Sequence, residues 1–320
     1  MLRHIHFHDA GIDFLGWRRL AIGLSLVLMV ISIALIAARG LNFGVDFTGG
    51  TLVEVGYPEA VELDPIRQTL ADNGFERATV QTFGTARDVL IRLPPLPADQ
   101  LGEEGAEAEV SNLVMRALQA GGPEGVELRR VEFVGPAVGE ELREQGGLAM
   151  VYALIGILIY VAVRFEWRFS VGSVAALVHD VVITLGVFAL TGLEFDMGVL
   201  AAILAVIGYS LNDTIVVYDR IRENFRVQRK AGTLDVMNDA INKTLSRTII
   251  TGLTTLLVLL ALAFFGGATL FGFAVALIVG VVVGTYSSIF VAAAVAYMLG
   301  VDRQVLLPVK KEGADEDSAP

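Results

Sequence analysis

Six stretches of almost unbroken apolar character stand out along the chain, at residues 20–38, 147–163, 169–191, 197–218, 248–265 and 268–299. A helix needs about 20 apolar residues to cross roughly 30 Å of hydrocarbon, so each stretch is predicted to span a membrane. Between the first and second stretches the pattern changes. The apolar period there alternates between two and nearly four, which predicts strand 51–57, helix 64–73, strand 78–83, strand 89–93, helix 104–120 and strand 126–134. Asp64 followed by Pro65 reads as the cap and first turn of the earlier helix, and Gly74 as its stop.

A βαββαβ order predicts an α+β ferredoxin-like domain, with two helices over one face of an antiparallel sheet. The other face is left free, for an unfolded chain or for a partner subunit. The expected organisation is an N-terminal segment at 1–19, the first span at 20–38 and the ferredoxin-like domain at 39–142. The other five spans follow at 143–300 with a loop at 219–246, and a polar, disordered tail at 301–320.

Composition agrees with a bilayer as solvent: 54% of residues are hydrophobic and 18% charged, with a mean hydropathy of +0.63. The basic residues Arg3, Arg18, Arg19, Arg164, Arg168, the run at 220–243, Arg303, Lys310 and Lys311 fall on one side of the predicted spans. The short connections on the other side carry none, and only Arg39 and Arg143 lie near that edge, so both termini are predicted to be cytoplasmic. The first span reads as an uncleaved anchor rather than a signal peptide, because its apolar core is full length and Arg39 follows it directly.

The net charge of −11 is concentrated in residues 39–142. Long loops translocate regardless of charge, so this acidity does not oppose the topology; it argues against nucleic acid or anionic lipid as the domain's partner. With no cysteine in the chain, disulfides and thiol or Cys–zinc chemistry are excluded.

Ionisable groups inside hydrocarbon cost about 2.5–3.5 kcal/mol each on insertion scales and call for an explanation. Asp180, with His179 beside it, lies near the middle of the third span. Asp213, preceded by Asn212, lies in the inner half of the fourth, and Arg247 opens the fifth. Adjacent helical residues are about 100° apart, so His179 and Asp180 are expected to point at different partners, one into the bundle and one towards a neighbouring subunit. Asp213 stands roughly 8 Å deep, within reach of the long Arg247 side chain, as a switchable ion pair. Two readings stand side by side. A carboxyl moved between an apolar surrounding and an arginine can load and release a proton; alternatively, the polar groups only hold helices together and Arg247 snorkels to the interface.

The segment leaving the first span, residues 44–51, has the spacing G-x-x-x-x-G-x-T of a phosphate loop, but Gly50 stands where the lysine belongs. Gly44, Gly49 and Gly50 instead allow a tight bend, with Asp46 binding local backbone amides. Gly135, Pro136 and Gly139 form a similar joint at the domain's exit, so the two joints either let the domain swing as hinges or make the corners fit. Gly198, Ala201, Ala202, Ala205 and Gly208 on the fourth span, with Gly280 and Gly284 on the sixth, permit close helix packing. The stretch 234–245 puts Met237, Ala240, Ile241 and Leu245 on one face, as for a helix lying along the inner membrane surface or docked on a partner. His4, His6 and His8 alternate as metal ligands sometimes do, an incidental pattern at a chain terminus. No H-E-x-x-H, Ser-His-Asp arrangement or dinucleotide turn is present, so an enzyme is not expected.

Several local strings resemble one family, the SecF proteins, which with SecD form a protein-export accessory complex related to the resistance-nodulation-division transporters. They are Asn42-Phe43-Gly44-Val45-Asp46-Phe47-Thr48-Gly49-Gly50, Glu132-Phe133-Val134-Gly135-Pro136, Arg164-Phe165-Glu166-Trp167-Arg168 and His179-Asp180-Val181-Val182-Ile183-Thr184. A fifth runs from Gly208-Tyr209-Ser210-Leu211-Asn212-Asp213 through Asp219-Arg220-Ile221-Arg222-Glu223-Asn224. The resemblance implies a plasma-membrane subunit that binds SecD, works with the SecYEG channel near YajC and YidC, and uses the proton motive force to draw preproteins outward. It also implies that protons are the coupling ion with no other cofactor, that the family's intramembrane acid falls on Asp213 and its arginine on Arg247, and that SecD supplies a further carboxylate. A proton-coupled exporter of small molecules and a passive scaffold subunit are the competing readings.

Overall fold

The computed structural model describes residues 11–95 and 106–303. The histidines at 4, 6 and 8, the expected helix start at 104 and the tail beyond 303 lie outside the described residues. After a 3-10 turn at Leu15–Trp17, helix α1 runs over Arg18–Arg39. Strand β1 (Asn42–Phe43), helix α2 (Val45–Thr48), β2 (Gly50–Gly56), α3 (Leu63–Asp72), β3 (Thr79–Phe83), β4 (Thr85–Leu93), α4 (Ala106–Gly121) and β5 (Glu127–Val134) follow. The remaining elements are α5 (Pro136–Arg164), α6 (Trp167–Thr191), β6 (Glu194–Phe195), α7 (Met197–Val227), α8 (Thr233–Phe265) and α9 (Gly267–Ser287), then a π-helical turn at Ser288–Ala292 and α10 (Ala293–Met298). Among the described residues, six helical segments are long and apolar enough to cross a membrane: α1, α5, α6, α7, α8 and the rod Thr269–Met298.

The larger sheet is antiparallel with order β3-β4-β2-β5. Alternation along the strands puts Val53, Val55, Val89 and Ile91 on one face, where Ile66 and Leu70 of α3 and Val110, Val114 and Leu118 of α4 close a core. The second face is only partly free. Arg92 reaches from it to Glu194 at 2.5 Å, and Arg130 to the Thr269 hydroxyl at 3.4 Å, so it leans on the bundle's connections. Asp64 is not the cap of α3; it sits in the first turn and pairs with Arg67 at 2.6 Å, while Gly74 takes a positive φ of 90° past the helix end.

Two expectations about the bundle change. Helix α5 starts at Pro136, well before residue 147, because a helix that leaves the membrane need not stay apolar. The expected loop 219–246 is two long helical extensions of α7 and α8. Its apolar face does not lie on a membrane surface: Val236, Met237, Ala240 and Ile241 are buried against Val217, Tyr218, Ile221 and Phe225 of α7, together with Phe14 and Leu15. Two asparagines pin the N-terminal segment there. Asn242 accepts from the Ile12 N–H (3.1 Å) and donates to its carbonyl (2.8 Å), and Asn238 accepts from the Leu15 N–H (2.9 Å).

Candidate functional site

Asp180 is fully buried, and three groups hold its carboxyl. Ser210 of α7 donates to Oδ2 at 2.6 Å, Ser287 of α9 donates to the same oxygen at 2.8 Å, and His179 Nδ1 lies 2.9 Å from Oδ1. Gly284 makes the room, because a Cβ there would come within 3.1 Å of the Ser210 side chain and 3.5 Å of Asp180 Oδ2. The expectation that His179 and Asp180 serve different partners is therefore corrected. Both are buried in the bundle and bond to each other, since a histidine ring is long enough to fold back across the 100° separation. His179 Nε2 is buried without a partner, and its ring packs on Tyr286 with centroids 6.0 Å apart.

Asp213 is in a different state. Its Oδ1 accepts from the Thr248 hydroxyl of α8 at 2.7 Å, while Oδ2 is buried with no partner. Arg247, the neighbour of Thr248, is exposed and makes no ion pair with Asp213 among the described residues. The guanidinium lines an open cleft of about 350 Å³ together with Thr244, Lys243, Asp219, Glu223 and Arg164. Asn212 points out of the bundle, on an uncovered face of α7 that also carries Ala201, Ala205 and Gly208. Between the two carboxylates, Ser288 on the π-helical turn bonds Thr214 at 3.0 Å and donates to the Ser210 carbonyl at 3.4 Å. A single π-helical turn inside a span is a recurrent mark of functional positions.

The expected hinges come together in one joint. Gly49 and Gly50 have φ values of +69° and +121°, and a Cβ on either would strike backbone, Pro136 Cα at 2.7 Å and the Leu93 carbonyl at 2.3 Å respectively. Gly139, in the first turns of α5, closes the same joint, because a Cβ there would come within 2.8 Å of Gly49 N and 3.1 Å of the Phe47 carbonyl carbon. Gly135 is the N-cap of α5 with open space around it, and Pro136 takes the first helical position, where its missing N–H is harmless. The Gly44 N–H donates to the Phe195 carbonyl at 2.9 Å, within a parallel pairing of β1 with β6 that sets Asn42 against Glu194 and Phe43 against Phe195. Asp46 binds a distant rather than a local backbone amide: its Oδ2 accepts from the N–H of Met197, the first residue of α7, at 2.9 Å.

Three carboxylates therefore meet around the start of α7. Burial pushes Glu194 above the ordinary carboxylate range, against the pull of Arg92 and with help from Asp196 and Asp46. Burial also raises Asp196, opposed by the Val199 N–H that it caps at 2.7 Å and reinforced by Asp46. Among the described residues, no group of three or more His, Asp and Glu side chains is placed to hold a metal ion. Sequence reasoning missed Thr248, Ser210, Ser287, Arg92 and Glu194. Ser210 and Thr214 share a face of α7 at i, i+4, which is the one signal that could have pointed to the hydroxyls.

Comparison with known proteins adds the family. Residues 114–302 match the family described as "Protein export membrane protein SecD/SecF, C-terminal", and residues 34–57 match the "SecD/SecF GG Motif". The chain is 51% identical over 314 residues to the protein translocase subunit SecF of Vibrio alginolyticus, covering 98% of each. It is 44% identical over 308 residues to SecF of Escherichia coli O157:H7, covering 96% of this chain and 94% of that one. Among solved structures, it is 40% identical to SecDF, a translocon-associated membrane protein from Thermus thermophilus, with a TM-score of 0.81. That alignment covers 91% of this chain and 39% of the SecDF chain, so this chain spans about two fifths of it. A matching domain over more than half of the length and end-to-end identity to SecF proteins lead to one conclusion: the chain belongs to the SecD/SecF family of protein-export membrane proteins, on its SecF side.

Proposed function

We propose that the chain is the SecF-type subunit that, together with SecD, uses the proton motive force to promote late steps of preprotein export through SecYEG. In this reading the bundle lies in the bacterial plasma membrane with both termini cytoplasmic, and the sheet domain is extracytoplasmic and ferredoxin-like. YajC and YidC are further neighbours, lipid surrounds the bundle, and protons are the coupling ion with no enzymatic reaction. The sheet order β3-β4-β2-β5 with both helices on one face supports the ferredoxin-like assignment.

Asp213 carries the proposal. A carboxyl buried among spans, with one oxygen held by Thr248 and the other without a partner, can take up and return a proton without breaking a saturated set of hydrogen bonds. Asp180, clamped by three groups, is suited to holding α6, α7 and α9 together. Arg247 stands beside Thr248 at the cleft and is the cation that Asp213 faces in one half of the cycle. The uncovered face of Ala201, Ala205, Gly208 and Asn212 supports close approach by a SecD helix, which would supply the complementary carboxylate. One proton falling through 100 mV releases about 2.3 kcal/mol, comparable with the coupling energies of conformational switches.

The test is export into membrane vesicles with and without a proton gradient. Asp213→Asn is expected to abolish the gradient-dependent increment while leaving SecD association intact; an unchanged increment refutes the role.

A further inference from the structure

Helix α7 carries Asp213, and its N-terminal end, the end near the sheet, is gripped by the sheet domain's own chain. The Met197 N–H is taken by Asp46 at 2.9 Å, and the two residues of β6 that precede α7 are paired with β1. Arg92 of β4 then ties the sheet to the same place. Its guanidinium pairs with Glu194 at 2.5 Å and donates to the Asn42 side-chain oxygen and the Phe43 carbonyl, both at 3.2 Å. Arg92 and Glu194 are only 16% and 22% exposed, so water screens the pair less than it would at an open surface. Beneath it, Phe43, Phe47 and Phe195 pack with ring centroids 5.7–5.8 Å apart, and Phe188 joins at 6.2 Å. At the glycine joint, α2 and α5 touch backbone to backbone, which leaves no space for a side chain as small as alanine's.

These contacts lie on both sides of residues 44–50. A swing about that segment requires Arg92 to leave three acceptors, Asp46 to uncap α7 and the aromatic cluster to open. We infer that the sheet domain and the near end of α7 form one mechanical body with Arg92 as its positioning residue, so that a displacement of α7 reaches the sheet as a rigid tilt and residues 44–50 act as a splint. Asp213 lies 16 residues beyond Met197, roughly 24 Å along the helix axis, and a continuous helix carries displacement over that length. The role in export rests on the proton-site proposal above; the mechanical statement does not.

The chain has no cysteine, so two can be introduced without interference. Arg92→Cys with Glu194→Cys, in complex with a cysteine-free SecD, removes the tie; a short bifunctional thiol reagent then restores it covalently in the same molecules. The expected result is loss of most of the gradient-dependent export increment before bridging and its recovery afterwards. Recovery cannot come from misfolded protein, so a folding defect is separable. An increment that is intact before bridging and lost after it would overturn the inference in favour of a hinge, and an increment unaffected by either step would show that the tie is irrelevant. Asp213→Asn assayed in parallel separates the two claims: if it retains the increment, the proton-site proposal fails, whereas the bridging result still judges the splint.

Discussion

Asp180 and Asp213 carry the same chemical group inside the same bundle, and their neighbours set them apart. Asp180 accepts from two serine hydroxyls on two other spans. Its removal leaves the buried Ser210 hydroxyl unpaired, at about 1–3 kcal/mol, and Ser287 with only the Gly284 carbonyl at 3.2 Å. Asp180→Ala is therefore expected to lower the yield of folded protein and the midpoint of thermal unfolding in detergent, with Asp180→Asn milder; a fully stable Asp180→Ala would remove the anchoring role. Both acids are legible in the sequence as charges within apolar runs. Their different states are not, because the serines and the threonine that distinguish them lie on other helices, as far as 107 positions away for Ser287 and Asp180. Arg247 illustrates the same limit: its closeness to Asp213 follows from spacing, but its turn towards the cleft depends on the packing of α7 against α8.

At the scale of elements, the connection that starts α7 is where ionisation and structure meet. Glu194 and Asp196 are both raised above their ordinary values in the folded chain, chiefly by burial. A group raised by folding binds its proton more tightly in the folded state, so its contribution to stability is full below the ordinary carboxylate value and is lost as pH rises through the raised one. The folded chain should accordingly gain stability as pH falls from neutral towards the ordinary carboxylate range. Glu194→Gln with Asp196→Asn, which keeps a side-chain cap on α7, should flatten that dependence in thermal melts; an unchanged slope would place the titrating groups elsewhere. The strands β2 to β5 were readable from alternation of period two, and the apolar spans from their length. The pairing of β1 with β6 was not, because two residues have no period, and its partners are 152 positions apart. The helix at 234–245 was readable from its apolar face, but its continuity with the span of α8, and the extension of α7 to Val227, were not, because a helix that turns amphipathic past an apolar run shows a charged face that reads as a loop.

For the whole molecule, the two Gly-rich segments that bound the sheet domain in sequence meet in space, and the domain sits on the bundle through Arg92, Arg130 and the aromatic cluster. Sequence reasoning found both segments but not that they touch, so swinging and fitting remained equivalent readings until the backbone contacts were known. The uncovered face of α7 and the cleft at Arg247 give the bundle a polar, small-residue surface suited to another helical subunit. The proposed use of the proton motive force depends on a change in the ionisation of Asp213 during the working cycle. Difference infrared spectroscopy of the SecD-containing complex in sealed vesicles, recorded with and without a proton gradient, reads the protonated-carboxyl stretch directly. The account predicts a band that changes on energisation and is missing in Asp213→Asn. An Asp213 that keeps one protonation state under both conditions would contradict it.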